Sequence, residues 1–421
     1  MTAPTDRLAA EPRVLSAARP FDPARDPLPP PLRTGRRLTI LDITKYFGPT
    51  TGGIRTYLLD KARYVAAHPG LAQLLLVPGP DGQLGDDGNL RCYRVRGPEI
   101  PLDRNYRFLL DRAAVRRVLA HERPDLIEVG SPWLVPWVVR RAARDLGIPT
   151  AWFYHTHFPA IIAPPGSGTP AWRRAAGRAA WAYVRRLASA HRAVLVASDG
   201  VARALEQHGV RNVHRITLGV DLAHFTPARR AEREAVLARH GLPDGPLALY
   251  LGRFTEEKRL EVVIDAWRAV GREAGATLVL VGTGPREARL RARAQGLAVR
   301  WLPFERDRSR VADLLAAADL YLAPGPAETF GLSALEALAS GTPVLSVDVG
   351  GVADRVRSSG VGACYPVDDA AACAGQAVRL LGQDRAGQAA AARAWAEMHH
   401  AQAAAFDRLF ATYETLVAPG A

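Results

Sequence analysis

The chain has 421 residues, of which 48% are hydrophobic and 23% are charged, so it is too long for one hydrophobic core and too apolar to be disordered throughout. Its three cysteines, Cys92, Cys364 and Cys373, are far apart and odd in number, which gives neither a disulfide framework nor a metal spacing. The net charge of +13 comes almost wholly from arginines dispersed along the chain, so we expect a solvated surface and no nucleic-acid partner.

No run of about 18 apolar residues occurs, as a membrane-spanning helix would require. Arg, Asp and Pro interrupt the first thirty residues throughout, unlike a signal peptide. We therefore expect a cytoplasmic protein. Residues 1–36 are rich in proline and arginine, and this composition predicts a flexible extension that is not part of the fold.

From residue 38 onward, short apolar runs alternate with longer amphipathic segments, which is typical of βα units and a parallel sheet. The first half has predicted strands at 38–43, 74–77, 125–129, 150–154 and 193–197. Its predicted helices lie at 55–67, 111–121, 135–146 and 172–190. We assign residues 37–218 to an N-terminal, acceptor-side Rossmann-like domain.

The same alternation restarts after residue 218, with predicted strands at 247–251, 276–281, 299–302, 320–323 and 344–347. Residues 219–394 then form a C-terminal domain, and residues 389–418 read as one or two helices. Whether the last helix, about 395–421, packs back on the first domain is left open. The predicted fold is α/β, with two doubly wound domains facing a cleft into which the strand-to-helix loops project.

The most informative loop follows the predicted strand 320–323 and contains Glu328-Thr-Phe-Gly-Leu-Ser-Ala-Leu-Glu336. Gly331 and the residues after it open a helix whose free amides can receive a phosphate or sugar hydroxyls. Two carboxylates spaced in this way can contact different parts of one elongated ligand. An alternative is a helix capping box, in which Ser333 and Glu336 only satisfy backbone amides.

Glu328 and Glu336 resemble the E-x7-E motif of retaining GT-B glycosyltransferases of the family-4 group, and Phe330-Gly331-Leu332 and Gly350-Gly351 extend the likeness. The resemblance implies GT-B architecture and a nucleotide-sugar donor held by the second domain. It assigns the nucleotide ribose to Glu336 and the transferred sugar to Glu328. It also places Phe330, Gly331 and Leu332 at the donor.

Arg253 and Lys258 follow the first predicted strand of the second domain, and this pair of cations suits a diphosphate. Similar enzymes have the same G-R-x-x-x-x-K pattern, in which both cations neutralise the departing pyrophosphate. Arg259 replaces the glycine that often follows the lysine. Surface charge is the alternative interpretation of both residues.

Three further residues are assigned to the donor. Gly52 and Gly53 lie between the first strand and its helix, where a glycine pair permits close backbone approach to a ligand. The loop resembles the family's glycine-rich loop, which implies contact with the donor phosphates from the opposite domain. By the same resemblance, Phe304 borders the nucleotide base.

His155 and His157 follow the predicted strand 150–154 and should lie near the cleft. A metal site is a weak alternative, because no carboxylate or cysteine cluster accompanies the two histidines. Family members often have a histidine here that contacts the donor sugar. We assign this role to His155, with His157 as the alternative.

No DxD motif occurs near these loops, so we expect catalysis without a metal and without a separate cofactor. The sequence offers no convincing carboxylate nucleophile in the first domain, and the resemblance implies front-face transfer. The expected activity is transfer of a hexose from a UDP- or GDP-sugar to a lipid or carbohydrate hydroxyl. A GT-B-fold nucleotide-sugar epimerase is the alternative, and a basic nucleic-acid-binding protein is a weaker one.

The acceptor is suggested by two segments. The tract 154–159, Y-H-T-H-F-P, resembles that of family members that glycosylate lipids, including an inositol-lipid branch. The basic segment 170–187 interleaves Trp172, Trp181 and Tyr183 with arginines, a composition compatible with a helix resting on an anionic membrane. An amphipathic helix packed on its own sheet is the equal alternative.

Overall fold

The computed structural model describes residues 13–48, 52–101, 103–163 and 170–418, which form two α/β domains. Residues 1–12 of the predicted extension and residues 49–51 of the predicted glycine-rich loop lie outside the described residues. Within the described part, no helix is both long enough and apolar enough to cross a bilayer.

The first domain contains one large, mostly parallel sheet and a separate two-stranded hairpin. Its strands are β1 (Arg19–Pro20), β2 (Leu38–Ile43), β3 (Leu71–Gly79), β4 (Gln83–Asp87), β5 (Leu90–Arg96), β6 (Glu99–Ile100), β7 (Asp103–Arg107), β8 (Leu126–Val129), β9 (Thr150–Phe153), β10 (Ala193–Val196) and β11 (Val213–Arg215). Its helices are α1 (Arg13–Ser16), α2 (Gly53–Ala66), α3 (Arg112–Glu122), α4 (Val135–Asp145), α5 (Phe158–Ile162), α6 (Ala171–Ala188) and α7 (Asp199–Gln207).

The sheet order of the first domain is β1-β4-β5-β3-β2-β8-β9-β10-β11, and β6 and β7 form a separate hairpin. The strand order reverses at β2, which pairs in parallel with β3 on one side and β8 on the other. Ligands of open parallel sheets bind at such a switch point, and the Gly52–Gly53 turn follows β2 there. All five strands and four helices predicted in this half are present, with ends that differ by a few residues.

The prediction of a loose extension over residues 1–36 is wrong for residues 13–36. Strand β1 pairs antiparallel with β4, and Phe21 is 3% exposed. The backbone N–H of Leu32 donates to the buried carboxylate of Glu122 at 2.8 Å. A few apolar side chains are thus enough to fix this segment on the sheet edge, where prolines are tolerated because an edge strand needs fewer N–H donors.

The second domain has a fully parallel six-stranded sheet within the described residues, in the order β14-β13-β12-β15-β16-β17. Its strands are β12 (Leu247–Leu251), β13 (Thr277–Val281), β14 (Val299–Leu302), β15 (Leu320–Ala323), β16 (Val344–Val347) and β17 (Gly362–Tyr365). Its helices are α8 (Arg233–His240), α9 (Leu260–Glu273), α10 (Glu287–Arg293), α11 (Arg308–Ala317), α12 (Leu332–Ala339), α13 (Gly351–Ser359) and α14 (Ala370–Leu381), with 3-10 helices at Pro227–Glu232 and Glu256–Lys258. The two doubly wound domains confirm the predicted fold class.

The C-terminal residues form two helices, α15 (Arg385–His400) and α16 (Gln402–Val417). Helix α15 packs on α12 of the second domain, whereas α16 returns to α2 and β8 of the first. Helices α15 and α16 together therefore connect the two domains.

A buried charged cluster fixes α16 to the first domain. The Lys61 side chain is fully buried, and its Nζ donates to Asp42 Oδ1 at 2.7 Å and to the Tyr413 hydroxyl of α16 at 2.8 Å. Glu128 Oε1 lies 3.2 Å from the same nitrogen. Burial raises the pKa of Glu128 to about 7, although Lys61 opposes this shift. Buried charges need such complete pairing, because each one left alone in the interior is costly.

Candidate active site

The start of α12 is held in an open geometry by Gly331. Gly331 has φ +76°, and a Cβ there would lie 2.3 Å from Val352 Cγ2, so a larger residue would be both strained and too close to α13. No side chain of the described residues caps the helix. Ser333 instead accepts a hydrogen bond from the Tyr321 hydroxyl at 2.7 Å. The capping-box alternative is therefore wrong. Among the described residues, none accepts a hydrogen bond from the Leu332 or Ser333 amide, so these two amides at the start of α12 are available to a ligand.

Glu328 and Lys258 meet at the mouth of the second domain. Lys258 Nζ donates to Glu328 Oε2 at 2.5 Å, and both side chains are roughly one-third exposed. Lys258 holds the pKa of Glu328 below its usual value. Burial alone would lower the Lys258 pKa, but Glu328 and other nearby acidic groups leave it above the ordinary value. Both groups are therefore charged at neutral pH.

Glu336 lies deeper, one turn into α12, and its side chain is 7% exposed. Arg308, at the first turn of α11, donates from Nη1 to Glu336 Oε1 at 2.9 Å. The two carboxylates of the motif therefore have separate cationic partners. The more exposed Glu328 lies at the mouth of the cleft, and Glu336 lies in the interior wall of the cleft.

Arg253 is engaged from the other domain. Its Nη2 donates to Asp103 Oδ2 of the β6–β7 hairpin at 2.7 Å, and its guanidinium carbon lies 5.8 Å from the centre of the Tyr106 ring. Burial works against its charge, but Tyr106 and Asp103 together leave the Arg253 pKa above its usual value. A first-domain carboxylate thus occupies the arginine to which we assign the diphosphate.

The glycine turn of the first domain faces α12 across the cleft. A Cβ on Gly53 would lie 3.4 Å from Leu332 Cδ1, and Gly52 precedes the first turn of α2. The N-termini of α2 and α12, one from each domain, are therefore close together. Helix N-termini favour negative charge, so the two converge on a place suited to a phosphate group.

The structure separates the two candidate histidines. The carbonyl of His155 accepts from Thr329 Oγ1 of the second domain at 2.8 Å, which brings His155 beside the Glu328 loop. Its ring stacks on Phe153, with centroids 3.8 Å apart. His157 turns away, because its Nδ1 lies 2.9 Å from the Tyr154 hydroxyl and its ring packs edge-on against Trp181 of α6. The geometry favours His155 for contact with a donor.

Both imidazoles are neutral at physiological pH. Burial, assisted by the positive charge of Lys61, lowers the pKa of His155 to about 3. Burial, assisted by His208, lowers the pKa of His157 to about 4. His155 can therefore accept or donate a hydrogen bond to a sugar, but it cannot supply positive charge.

Two aromatic candidates differ in position. The Phe330 ring is 6% exposed and packs on the guanidinium of Arg355, 3.6 Å from the ring centre, so the ring is not presented to the cleft. Phe304 lies in the loop between β14 and α11 and is partly exposed. A planar base could therefore approach Phe304 but not the Phe330 ring.

A further contact between the domains lies beside this site. Asp354 of α13 accepts from the Gly200 amide at 2.7 Å and from Ser198 Oγ at 3.0 Å. The Asp354 carboxylate thereby caps the N-terminus of α7 in the first domain. With Thr329 and Asp103, this is a third hydrogen-bonded link across the cleft. The described conformation is therefore one in which the two domains are in contact.

Sequence reasoning missed Arg308, Asp103 and Lys61. Arg308 is indistinct in an arginine-rich chain, and Asp103 lies in a short polar hairpin without an apolar pattern. Lys61 did carry a signal, because it is, like Lys258, one of only three lysines in the sequence. Among the residues that the structure describes, no three His, Cys, Asp or Glu side chains are grouped so that they could hold a metal ion.

Two Rossmann-like domains, the second of which carries the ion pairs Lys258–Glu328 and Arg308–Glu336 after its strands, define the class of a GT-B glycosyltransferase. Residues 51–224 match the family model described as Glycosyltransferase Family 4, and residues 245–383 match the one described as Glycosyl transferases group 1. The chain belongs to glycosyltransferase family 4. It is a glycosyltransferase, and the epimerase alternative is set aside.

Curated relatives agree with this assignment. A "GDP-mannose-dependent alpha-(1-6)-phosphatidylinositol dimannoside mannosyltransferase" of Mycobacterium tuberculosis is 37% identical over 73% of this chain and 79% of its own. A "D-inositol 3-phosphate glycosyltransferase" of Jonesia denitrificans is 30% identical over 75% of this chain and 79% of its own. Among solved structures, sucrose-phosphate synthase from Thermosynechococcus elongatus has a TM-score of 0.72 at 22% identity, covering 90% of this chain and 99% of that one, which shows the fold alone.

Proposed function

We propose that this enzyme transfers a hexose from a UDP- or GDP-sugar to a hydroxyl of a lipid or carbohydrate acceptor, with retention of anomeric configuration and without a metal. The observation that carries the proposal is the meeting of Lys258 and Glu328 at the cleft mouth, beside the open N-terminus of α12. The names of the relatives support GDP-mannose as the first donor to test and an inositol-containing lipid as the first acceptor.

In this proposal the donor lies along the start of α12. Glu336 accepts from the ribose, and the amides of Gly331 and Leu332 face the diphosphate. Lys258 and Arg253 neutralise the diphosphate, with Gly52 and Gly53 opposite. The remaining assignments are that Glu328 and His155 contact the sugar and that Phe304 borders the base.

Positive potential for the leaving group comes from the protein itself. Lys258 and Arg253 are both charged, and the N-termini of α2 and α12 add their partial charges. These groups can neutralise the charge of a departing diphosphate, which supports metal-independent catalysis. Transfer rates should be unchanged in EDTA, and a loss restored by Mg²⁺ or Mn²⁺ would contradict the proposal.

Front-face transfer fits the carboxylates of the first domain. Asp42 and Glu128, beside His155, are each 1% exposed and are bound to Lys61, so neither is presented to a sugar as a nucleophile. In the proposed step the bond from the anomeric carbon to the diphosphate oxygen breaks on the face where the acceptor oxygen bonds. The acceptor's proton passes to the departing diphosphate. Retention then needs no covalent enzyme intermediate.

We also propose a peripheral contact with anionic membrane through the α4–α6 side of the first domain. Trp172 is 66% exposed at the start of α6, with Ile161 of α5 at 39% and Leu134, just before α4, at 43%. Exposed arginines such as Arg178 accompany them on α6. Exposed aromatic and aliphatic side chains beside cations suit an anionic lipid interface.

Vesicle co-sedimentation tests the membrane contact. The protein should pellet with phosphatidylglycerol vesicles at physiological salt and stay in the supernatant with phosphatidylcholine. Trp172→Ser should reduce pelleting, whereas Met398→Ser, at an exposed apolar residue of α15, should leave it unchanged. Absence of the protein from the anionic pellet would contradict the membrane contact and leave the transferase proposal intact.

A nucleotide panel followed by product analysis tests the main proposal. GDP or UDP should raise the melting temperature in a concentration-dependent way, because a ligand that binds only the folded state stabilises it. The anomeric configuration of the product, read from its NMR couplings, should match that of the donor. No stabilisation by UDP, GDP, ADP or TDP, or a product of inverted configuration, would refute it.

A further inference from the structure

Glu336 is held by an arginine to which the family resemblance assigns no role. Arg308 Nη1 donates to Glu336 Oε1 at 2.9 Å, and the side chains are 27% and 7% exposed. Among the described residues, Arg308 is the one that donates a hydrogen bond to this carboxylate. A carboxylate has about four lone-pair positions, so Glu336 keeps acceptor capacity for a ligand while one oxygen is fixed.

The position of Arg308 is set by its surroundings. Asp307 caps α11 by accepting from the Ser309 amide at 2.8 Å, which fixes the backbone where Arg308 starts the helix. The Arg308 guanidinium carbon lies 4.9 Å from the ring centre of Phe225, which is completely buried. A helix cap, an aromatic ring and a carboxylate therefore define one geometry for this long side chain.

Arg308 also acts on the facing domain. The side chain of Asp60 of α2 is 12% exposed and forms an ion pair with Arg63 at 2.6 Å. Burial raises the Asp60 pKa, and the charge of Arg308 is the strongest influence opposing that rise. The charge of Arg308 thus acts on two carboxylates, Glu336 of its own domain, which it contacts, and Asp60 of the first domain.

We propose that Arg308 is a positioning residue for the donor: it orients the Glu336 carboxylate to accept hydrogen bonds from the ribose hydroxyls, and it thereby sets a preference for ribonucleotides over deoxyribonucleotides. The inference rests on the proposed function, which assigns the ribose to Glu336. A purely structural Arg308 would affect stability, or all nucleotides equally. A positioning residue affects the ligand that carries the 2′-hydroxyl.

The test is the ratio of dissociation constants for 2′-deoxy-GDP and GDP, measured by titration calorimetry, with the UDP pair used in parallel. Wild type should prefer GDP by about tenfold, the scale of one hydrogen bond to a charged group. Arg308→Met keeps the length of the side chain but removes its N–H donors. It should reduce the preference to about twofold, with nearly all the loss in GDP binding.

Two variants complete the design. Arg308→Lys retains a cationic donor and should recover part of the preference, and it carries the test if Arg308→Met does not fold. Arg310→Met, on the same helix but more than half exposed, should behave as wild type. An unchanged ratio of dissociation constants in Arg308→Met, which means equal losses for GDP and 2′-deoxy-GDP, would overturn this inference and leave the proposed function intact. Failure of wild type to bind any of the four nucleotides would overturn the proposed function and this inference together.

Discussion

The contact between Arg253 and Asp103 gives a quantitative prediction, because the carboxylate occupies the guanidinium that the proposed diphosphate would use. The two side chains are 35% and 24% exposed and lie 2.7 Å apart. Asp103→Asn preserves the size of the side chain and removes its charge. A diphosphate that binds Arg253 would then displace a neutral amide instead of a carboxylate. We expect the substitution to tighten nucleotide binding.

The partial exposure of the pair limits the magnitude. Ion pairs in contact with solvent contribute about 0.2–1 kcal/mol, so releasing this one costs the ligand about 1 kcal/mol. That free energy corresponds to roughly a fivefold change in dissociation constant. The Asp103→Asn variant should therefore bind GDP about fivefold more tightly at low salt. The difference should shrink at high salt, where partly exposed charges are screened.

Titration calorimetry on wild type, Asp103→Asn, Arg253→Met and the double variant measures the coupling. Arg253→Met should weaken GDP binding, and adding Asp103→Asn to it should change little, because the carboxylate then has no guanidinium to release. Glu99→Gln is a matched control, since Glu99 pairs with Arg107 on the same hairpin at 2.7 Å. Tightening by Asp103→Asn of the same size with and without Arg253, or weaker binding in the single variant, would refute the reasoning.

Three predictions concern stability. Lys61→Met should lower the free energy of unfolding by about 3–5 kcal/mol in denaturant titrations, because it leaves Asp42 and Glu128 buried without a counter-charge; a change below 1 kcal/mol would contradict this. Arg259 has φ +50°, so Arg259→Gly should stabilise by about 0.5–1 kcal/mol, and a lower melting temperature would count against it. Burial, with Arg355, lowers the His400 pKa to about 4, so the folded state favours the neutral imidazole. The contribution of His400 to the free energy of unfolding is therefore present above pH 6.5 and is lost toward pH 4. The stability difference between wild type and His400→Gln should fall by about 1 kcal/mol per unit between pH 6 and 4.5, and a pH-independent difference would exclude this role.

The predictable part of the fold is the buried part. Strands such as β12 and β16 are covered on both faces, so they appear in the sequence as continuous apolar runs with distinct ends. The β4–β5 hairpin was not predicted, because charged residues interrupt its strands at the sheet edge. The segment 13–36 was misread for a related reason. Its prolines indicate a loose chain, whereas its few apolar side chains reach the sheet edge only through tertiary packing.

The candidate site also has a part that the sequence predicts and a part that it does not. Residues of one loop and the helix that follows it, such as Glu328 and Glu336, have a spacing that the sequence displays. Their partners Lys258 and Arg308 come from other strand ends, and the pairing Lys258–Glu328 depends on how β12 and β15 lie side by side. Asp103 belongs to the opposite domain, and no local pattern could connect it with Arg253. Long-range ion pairs are set by topology, and a single sequence does not show topology at that resolution.

The division of roles between Glu336 and Glu328 is the central claim, and one set of titrations tests it most directly. GDP binding and mannose transfer from GDP-mannose would be measured for wild type, Glu336→Gln and Glu328→Gln. Glu336→Gln should weaken GDP by about tenfold, as expected for loss of a charged hydrogen-bond acceptor. Glu328→Gln should keep GDP affinity within about threefold while transfer falls by about a hundredfold or more. Equal loss of GDP affinity in both variants, or full transfer by Glu328→Gln, would contradict the account.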